Sequence, residues 1–201
     1  MARSVVLLDA DNMILSHLKL FPDGGMRANT IARRVGRYMQ RVASSHGPLE
    51  SCHATLAMGT LQRPESKGRR DKIALVTHGL VAEGYYVTTV PTGTNAADYA
   101  LCQIAHEKMR QESIGTYVIA TGDGQDPFAS LYSELARIGL GVHVVVWDQA
   151  PAVLHRYNTF RISRLKEEFQ GEFINWPDGD PDPGDEASHY PGARTRHTRG
   201  P

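Results

Sequence analysis

Short apolar segments alternate with longer amphipathic segments along most of this 201-residue chain, and this alternation restricts the fold more than any other feature. The segment VVLLD at 5–9 is apolar and ends in a carboxylate, which is typical of a strand buried on both faces of a parallel sheet. Strands that alternate with helices of about ten or more residues form right-handed βαβ units. We therefore predict an α/β protein, a three-layer α/β/α sandwich around a central parallel sheet. The predicted strands are 5–9, 51–58, 85–90, 116–120 and 142–147.

The segments between the predicted strands carry apolar residues at helical spacing. The first predicted helix spans 29–44, and a stripe of Arg33, Arg37 and Arg41 lies on a face other than the apolar one. Further helices are predicted over about 72–83, after PTGTN at 91–95, and after TGDGQDP at 121–127. The glycine-rich and basic segment GTLQRPESKGRRDK at 59–72 is predicted to be a loop.

The C-terminal segment differs in composition from the rest of the chain. From Pro177 onward it reads PDGDPDPGDEASHYPGARTRHTRGP, which has no apolar periodicity and cannot bury enough surface to offset the entropy of ordering. We predict one folded domain over 1–176 and a disordered tail over 177–201, and a protein partner of this tail stays open. Basic and acidic residues each number 22, but the tail holds more acidic than basic residues, so the predicted domain is slightly basic.

The remaining composition favours some cellular settings over others. Cys52 and Cys102 are the two cysteines, they lie far apart, and the N-terminus lacks the layout of a signal peptide, which together favour the reducing cytoplasm. No apolar run approaches the roughly 20 residues needed to cross a bilayer, so no membrane partner is expected. The nine histidines include no HExxH pair, so a zinc site of that type is not predicted.

Aspartates follow three of the predicted strands. Asp9 and Asp11 follow the first strand, Asp98 the third, and Asp123 and Asp126 the fourth. The carboxyl ends of parallel strands lie at one edge of the sheet, which is where α/β proteins bind ligands. Clustered carboxylates repel one another unless cations lie among them, and their hard oxygens suit Mg²⁺ or Mn²⁺. The pattern therefore predicts a metal centre and phosphoryl chemistry.

Some of these aspartates also have ordinary structural explanations. Asp98 could serve only as a favourable charge near the start of a helix, Asp126 could be a helix N-cap, and Asp11 could be a solvated turn residue. Asp9 is harder to explain in this way, because a carboxylate that closes a buried strand needs a partner or a cation. Asp123, flanked by two glycines, is similar.

Three motifs resemble those of the NYN domain family, a branch of the PIN-like nuclease superfamily. The segment LLDADN at 7–12 resembles the opening signature of that family, in which an aspartate is followed by an asparagine. The segment GYYVTTVPTGTNAADYALCQIA at 84–105 resembles its third strand and next helix, with Asp98 at the acidic position. The segment at 121–146 resembles the family's SGDxDFxPL motif, helix and last strand. The matching residues there are Thr121, Gly122, Asp123, Asp126, Phe128 and Leu131.

The resemblance covers about 4–160 and implies a PIN-like fold with strand order 3-2-1-4-5. It implies a metal-dependent endoribonuclease that hydrolyses phosphodiester bonds of single-stranded or structured RNA. Asp9, Asp98 and Asp123 would be the principal ligands of one or two Mg²⁺ or Mn²⁺ ions, and Asp126 a secondary one. Asn12 and Thr121 would orient ligands or phosphate. Proteins of this superfamily often dimerise, so a homodimer also stays open.

Cleavage of a polyanion requires basic groups near the site, because neutralised phosphates supply most nonspecific affinity. The densest basic cluster follows the second predicted strand and should therefore lie at the same edge as the aspartates. We interpret it as a clamp on the RNA backbone, although an exposed basic loop that serves solubility is the alternative. The arginine stripe of helix 29–44 is weaker evidence, since charged helix faces are usually solvated. The cluster consists of Arg63, Lys67, Arg69, Arg70 and Lys72.

Two other functions stay open from the sequence. DADN and GDGQD also echo motifs of haloacid-dehalogenase-like phosphatases, in which Asp9 would be the nucleophile and Asp11 the acid/base. Alternatively, the extra Gln125 between Asp123 and Asp126 would suit a noncatalytic RNA-binding module of the same fold. Tyr85 and Tyr86, at the start of the third strand, could stack on bases, but tyrosines at such a position more often pack in the core.

Overall fold

The computed structural model describes residues 2–20, 28–58, 66–91, 93, 95–122 and 124–174. Within these ranges, six parallel strands form one sheet in the order β3-β2-β1-β4-β5-β6, flanked by helices. The predicted α/β sandwich and the strand order 3-2-1-4-5 are therefore confirmed. The strands are β1 (Arg3–Asp9), β2 (Leu49–Met58), β3 (Tyr86–Pro91), β4 (Ile114–Ala120), β5 (Gly141–Val146) and β6 (Arg161–Arg164).

The helices lie between the strands, as the alternating pattern predicts. Two short 3-10 helices, Leu15–Leu20 and Ala152–Arg156, accompany them. None of the helices within the described ranges has the length and hydropathy of a membrane span. The α-helices are α1 (Ala10–Met13), α2 (Ala28–Ser44), α3 (Ser66–Ala82), α4 (Ala96–Met109), α5 (Phe128–Arg137) and α6 (Leu165–Ile174).

Alternate residues of the strands point to opposite faces of the sheet, and each face has its own helices. Leu7 of β1 and Ile119 of β4 pack against Leu101 of α4 and Leu131 of α5 in one buried apolar cluster. The opposite face is covered by α2, which also packs closely on α3. A Cβ atom at Gly79 of α3 would lie 2.5 Å from the main-chain oxygen of Asn29, so this close packing requires a glycine.

Two elements differ from the prediction. Helix α3 begins at Ser66, so the predicted loop at 59–72 is wrong over 66–72, where lysine and arginine are good helix formers although apolar periodicity begins only at Ile73. Strand β6 extends the sheet beyond the five predicted strands. Ile162 is the one apolar residue in its sequence RISR, so no alternating pattern marks it as a strand.

The chain divides into two units, Met1–Phe169 and Gln170–Pro201. The site described below lies in the first unit. Of the second unit, the structure describes only 170–174, the end of α6. The tail predicted at 177–201 lies outside the described residues and stays a prediction.

Candidate active site at the carboxyl end of the sheet

Asp9 is the last residue of β1, and its side chain is only 3 % exposed. It is also the N-cap of α1, where its Oδ1 accepts the main-chain N–H of Asn12 at 3.1 Å. Its Oδ2 accepts the hydroxyl of Thr121, which follows β4, at 3.2 Å. Two donors therefore orient this carboxylate, one from α1 and one from the residue that follows β4.

The pKa of Asp9 is raised to about 7, chiefly by burial and also by the nearby negative charges of Asp98 and Asp11, against the lowering effect of the hydrogen bonds from Asn12 and Thr121. The carboxylate form is thus disfavoured by its surroundings. A carboxyl group shifted by burial together with named charged neighbours beside a cleft is a typical functional-site candidate. A bound cation would relieve the same unfavourable interactions.

Asp98 lies in the first turn of α4 and shares an open cleft with Asp9. The N-cap of α4, Asn95, adopts a left-handed conformation with φ 55° and makes no side-chain capping bond. The charge of Asp98 thus lies near a helix start, as one alternative holds, and also close enough to Asp9 to raise its pKa. The cleft has a volume of about 280 Å³. Its lining includes Asp9, Asp11, Asn12, Ser16, Arg69, Asn95 and Asp98.

Asp11 connects three elements at the edge of the cleft. One carboxylate oxygen accepts the main-chain N–H of Ala57 in β2, and the other accepts Arg69 of α3 at 2.8 Å. Both oxygens of Asp11 are therefore engaged by protein groups, so this residue holds Arg69 at the cleft rather than standing in solvent.

Asn12 links α1 to the turn after β4. Its Oδ1 accepts the main-chain N–H of Gly122 at 3.2 Å. A Cβ atom at residue 122 would lie 2.6 Å from this same oxygen, so the contact requires the glycine that the motif contains. Thr121 is fully buried beside Asp9. Asn12 and Thr121 thus join the turn to Asp9 in the described geometry.

The two remaining aspartates of the predicted site behave differently. Asp123 lies outside the described residues, so its place as a ligand stays a prediction. Asp126 is exposed, and its Oδ1 accepts the hydroxyl of Ser130 in the first turn of α5 at 2.8 Å. The N-cap of α5 is Pro127, without a side-chain capping bond, so the alternative in which Asp126 is the N-cap is wrong, although Asp126 contacts the first turn of the helix.

Thr55 of β2 is a residue that the sequence does not single out. It is fully buried and lies directly opposite Asp9 in the pairing of β1 with β2. Within the described part of the chain its Oγ1 has no hydrogen-bond partner. An unsatisfied buried hydroxyl is costly, so this oxygen is a candidate to contact a ligand. Only the strand register reveals it.

The donors at this position suit a hard divalent cation. Asp9 and Asp98 contribute carboxylates to the cleft, and carboxylate oxygens are among the preferred ligands of Mg²⁺ and Mn²⁺. Among the described residues, no group of three or more His, Cys, Asp or Glu side chains could hold a metal ion. The third carboxylate of the predicted centre, Asp123, lies outside the described residues.

The predicted basic clamp is divided between α3 and the segment before it. Arg69 lines the cleft, and Arg70 and Lys72 lie on α3 with exposed side chains. Arg63 and the side chain of Lys67 lie outside the described residues.

The arginine stripe of α2 has acidic partners. Arg33 and Arg37 both bind Glu83, at 2.8 and 2.9 Å, and Arg41 binds Glu168 at 2.7 Å. The stripe is therefore paired with acidic side chains and not simply solvated, and Arg33 is only 19 % exposed.

Comparisons of the chain with protein-family models, with curated proteins and with solved structures found no match.

Proposed function

We propose that this protein is a metal-dependent endoribonuclease of the NYN family within the PIN-like superfamily. One observation carries the proposal: a buried carboxyl group, Asp9, has a pKa of about 7 and faces an open cleft together with Asp98. A structural role does not require two carboxylates to share a cleft at this cost. Phosphodiester hydrolysis with a divalent cation is a function that uses two carboxylates in one cleft.

The chain's own groups divide the work as follows. Asp9 and Asp98 would hold Mg²⁺ or Mn²⁺ together with Asp123, and the cation when bound would polarise a phosphodiester and activate water. Thr121 and the main-chain N–H of Asn12 orient Asp9. Arg69, held by Asp11 at the cleft, would bind a phosphate of the RNA.

The substrate, the cellular location and the assembly of the protein are also proposals. RNA is the proposed substrate, the cytoplasm the proposed location, and a homodimer the proposed assembly. Asp126 remains a proposed secondary ligand. To bind the cation through Oδ1, it would have to give up the hydrogen bond from Ser130. The alternative of a haloacid-dehalogenase-like phosphatase is less well supported, because Asp11, its acid/base, already accepts two hydrogen bonds from protein groups.

The test is a cleavage assay on labelled single-stranded RNA with Mn²⁺, with Mg²⁺ and with a chelator. We expect internal cuts that require the metal and are lost in Asp9→Asn and Asp98→Asn proteins that remain folded. Asp148→Asn is the matched control, because Asp148 is an exposed aspartate that pairs with Lys166 and does not line the cleft.

Three results would contradict the proposal. Cleavage that survives in the chelator or in Asp9→Asn would exclude the proposed metal centre. RNA binding without cleavage under every metal condition would identify a noncatalytic module. Rapid release of phosphate from small phosphomonoesters would favour the phosphatase.

A further inference from the structure

Tyr86 begins the edge strand β3 and is 66 % exposed, more than any other large apolar or aromatic residue in the described ranges. Its ring stacks on that of His53 in β2, with centroids 5.3 Å apart and planes inclined by 25°. Tyr85, one residue earlier, is buried and donates its hydroxyl to the main-chain oxygen of Gly36. The packing role predicted for tyrosine at this position thus holds for Tyr85, whereas Tyr86 presents its ring at the surface.

Strand register puts this aromatic pair on the same face of the sheet as Asp9. Asp9 lies opposite Thr55, Thr55 opposite Thr88, and His53 opposite Tyr86. Residues two apart along a strand share a face, so His53 and Tyr86 face the side of Thr55 and Asp9. Two strand spacings and two residues separate Tyr86 from Asp9, which amounts to about 12 Å between Cα atoms. Helix α4 packs on this face against β1, β2 and β3, so a strand of nucleic acid would run around this helix and reach Tyr86 within a few nucleotides.

The surroundings of the pair suit a nucleobase better than a phosphate. The charged groups near His53 are Lys108 and Glu107, which carry opposite signs and so do not favour an anion. A flat aromatic ring backed by a second ring is the type of surface on which bases stack in single-strand-binding proteins.

We infer that Tyr86, supported by His53, is a stacking platform for one base of the RNA strand that enters the cleft. The inference rests on the proposed nuclease function and narrows its substrate class to single-stranded RNA. Bases in a duplex already stack on each other and cannot lie on a protein ring. In this arrangement Arg69 contacts the phosphate at the cleft and Tyr86 holds a base a few nucleotides away.

The test measures the affinity of a short labelled oligouridine in the Asp9→Asn background, which prevents cleavage during the measurement. Tyr86→Leu should weaken binding by about tenfold, because a base stacked on an aromatic ring contributes about 1–3 kcal/mol. Tyr86→Phe should bind within about twofold of the parent, since it retains the ring. Ile162→Ala is the matched control, an exposed residue of the opposite edge strand β6.

Two further ligands separate stacking from general damage. The loss caused by Tyr86→Leu should vanish with an abasic oligomer and with duplex RNA, because neither offers a base to the ring. Equal affinity of Tyr86→Leu and its parent for oligouridine, in a protein whose wild type cleaves RNA, would overturn the inference and leave the nuclease standing. Absence of both wild-type cleavage and RNA binding by Asp9→Asn would overturn the nuclease and the inference together.

Discussion

Two buried polar clusters lie in the same sheet, and their surroundings shift the pKa values of their ionisable groups in opposite directions. Asp9, at the end of β1, is buried beside two other carboxylates and has a pKa raised to about 7. His143, within β5, bonds through Nδ1 to His46 at 2.8 Å and through Nε2 to Ser163 at 2.7 Å. Burial, together with His46 and Arg161, lowers its pKa to about 4.

The difference separates a structural cluster from a functional one. Both ring nitrogens of His143 have partners, and the neutral imidazole is the form that its surroundings favour at neutral pH. A base with so low a pKa would activate Ser163 poorly. The hydrogen bonds of the cluster instead join β5 and β6 to the turn after α2. Asp9 instead faces an open cleft, and its surroundings disfavour its carboxylate form. A group whose charged form lowers the stability of the fold is typical of a functional site.

The largest expected effect comes from Asp9→Asn, which should change activity and stability in opposite directions. Metal-dependent cleavage should fall by at least about 100-fold, because cation chemistry contributes several kcal/mol to catalysis. Without metal at pH 8, the variant should be more stable than wild type by about 2 kcal/mol, since it removes a buried charge. RNA cleavage and denaturant unfolding in chelator measure the two changes. Lower stability at pH 8 with unchanged activity would make Asp9 a structural residue.

The His143 cluster should show the opposite dependence of stability on pH. The folded-state pKa of about 4 lies below the ordinary value of 6.5, so the native state binds fewer protons and becomes less stable as pH falls through this window. The Asp9 pKa is raised from 3.8 to about 7, so this group makes the native state more stable as pH falls from 7 toward 4. The two dependences must therefore be separated by mutation.

In the Asp9→Asn background, unfolding free energy without metal should fall by about 1–2 kcal/mol between pH 6.5 and pH 4, allowing for partial solvent screening of the imidazole. Adding His143→Gln should flatten this fall. A profile equally steep in both proteins would show that other groups determine the acid sensitivity.

Asn12→Ala tests whether the turn after β4 is held by a side chain of the Asp9 cluster. The variant loses the bond to the N–H of Gly122, which should cost about 1 kcal/mol of stability. The kcat of cleavage should fall by about tenfold with KM nearly unchanged, because small displacements of the reacting groups raise the activation barrier. Steady-state kinetics would measure this, and an unchanged kcat would remove Asn12 from the positioning of the site.

Arg69→Ala should have the smallest effect on the fold and a specific effect on RNA. Its side chain is 48 % exposed, so loss of the ion pair with Asp11 should alter stability by no more than about 0.5 kcal/mol. The slope of log affinity for RNA against log salt should fall by about 1. Arg164→Ala, in which an exposed pair with Glu167 is lost, is the control. The same salt slope in both variants would move the RNA path away from Arg69.

The parts of the fold that could be predicted are those with strong local patterns. VVLLD and the apolar segments like it are long enough to mark buried strands, and the alternating helices then require a parallel sheet. No local pattern predicts β6 or the first turns of α3, because each contains few apolar residues. The structure of β6 depends on contacts with the rest of the sheet, and that of the first turns of α3 on helix propensity. The strand order itself was implied by the resemblance to a family and not by periodicity.

The features of the site also divide into those that the sequence predicts and those that depend on the tertiary structure. The sequence singles out Asp9 and Asp98 because each follows a predicted strand, and both line the cleft. The partners of the other groups depend on three-dimensional proximity: Asp11 binds Arg69, and Asp126 binds Ser130. The stacked pair of Tyr86 and His53 likewise arises from a register that no spacing in the sequence reveals.

By itself, the sequence determined the α/β class, the central strands and the oxygen chemistry available beyond their ends, because burial and residue type are recorded locally as apolar runs and carboxylates. The tertiary structure alone decided that Asp9 is buried between two donors, that Thr55 lies beside it with no partner in the described ranges, and that Asp11 is occupied by Arg69. These properties depend on contacts between residues distant along the chain, and the free energies that shift a pKa arise only when those residues meet.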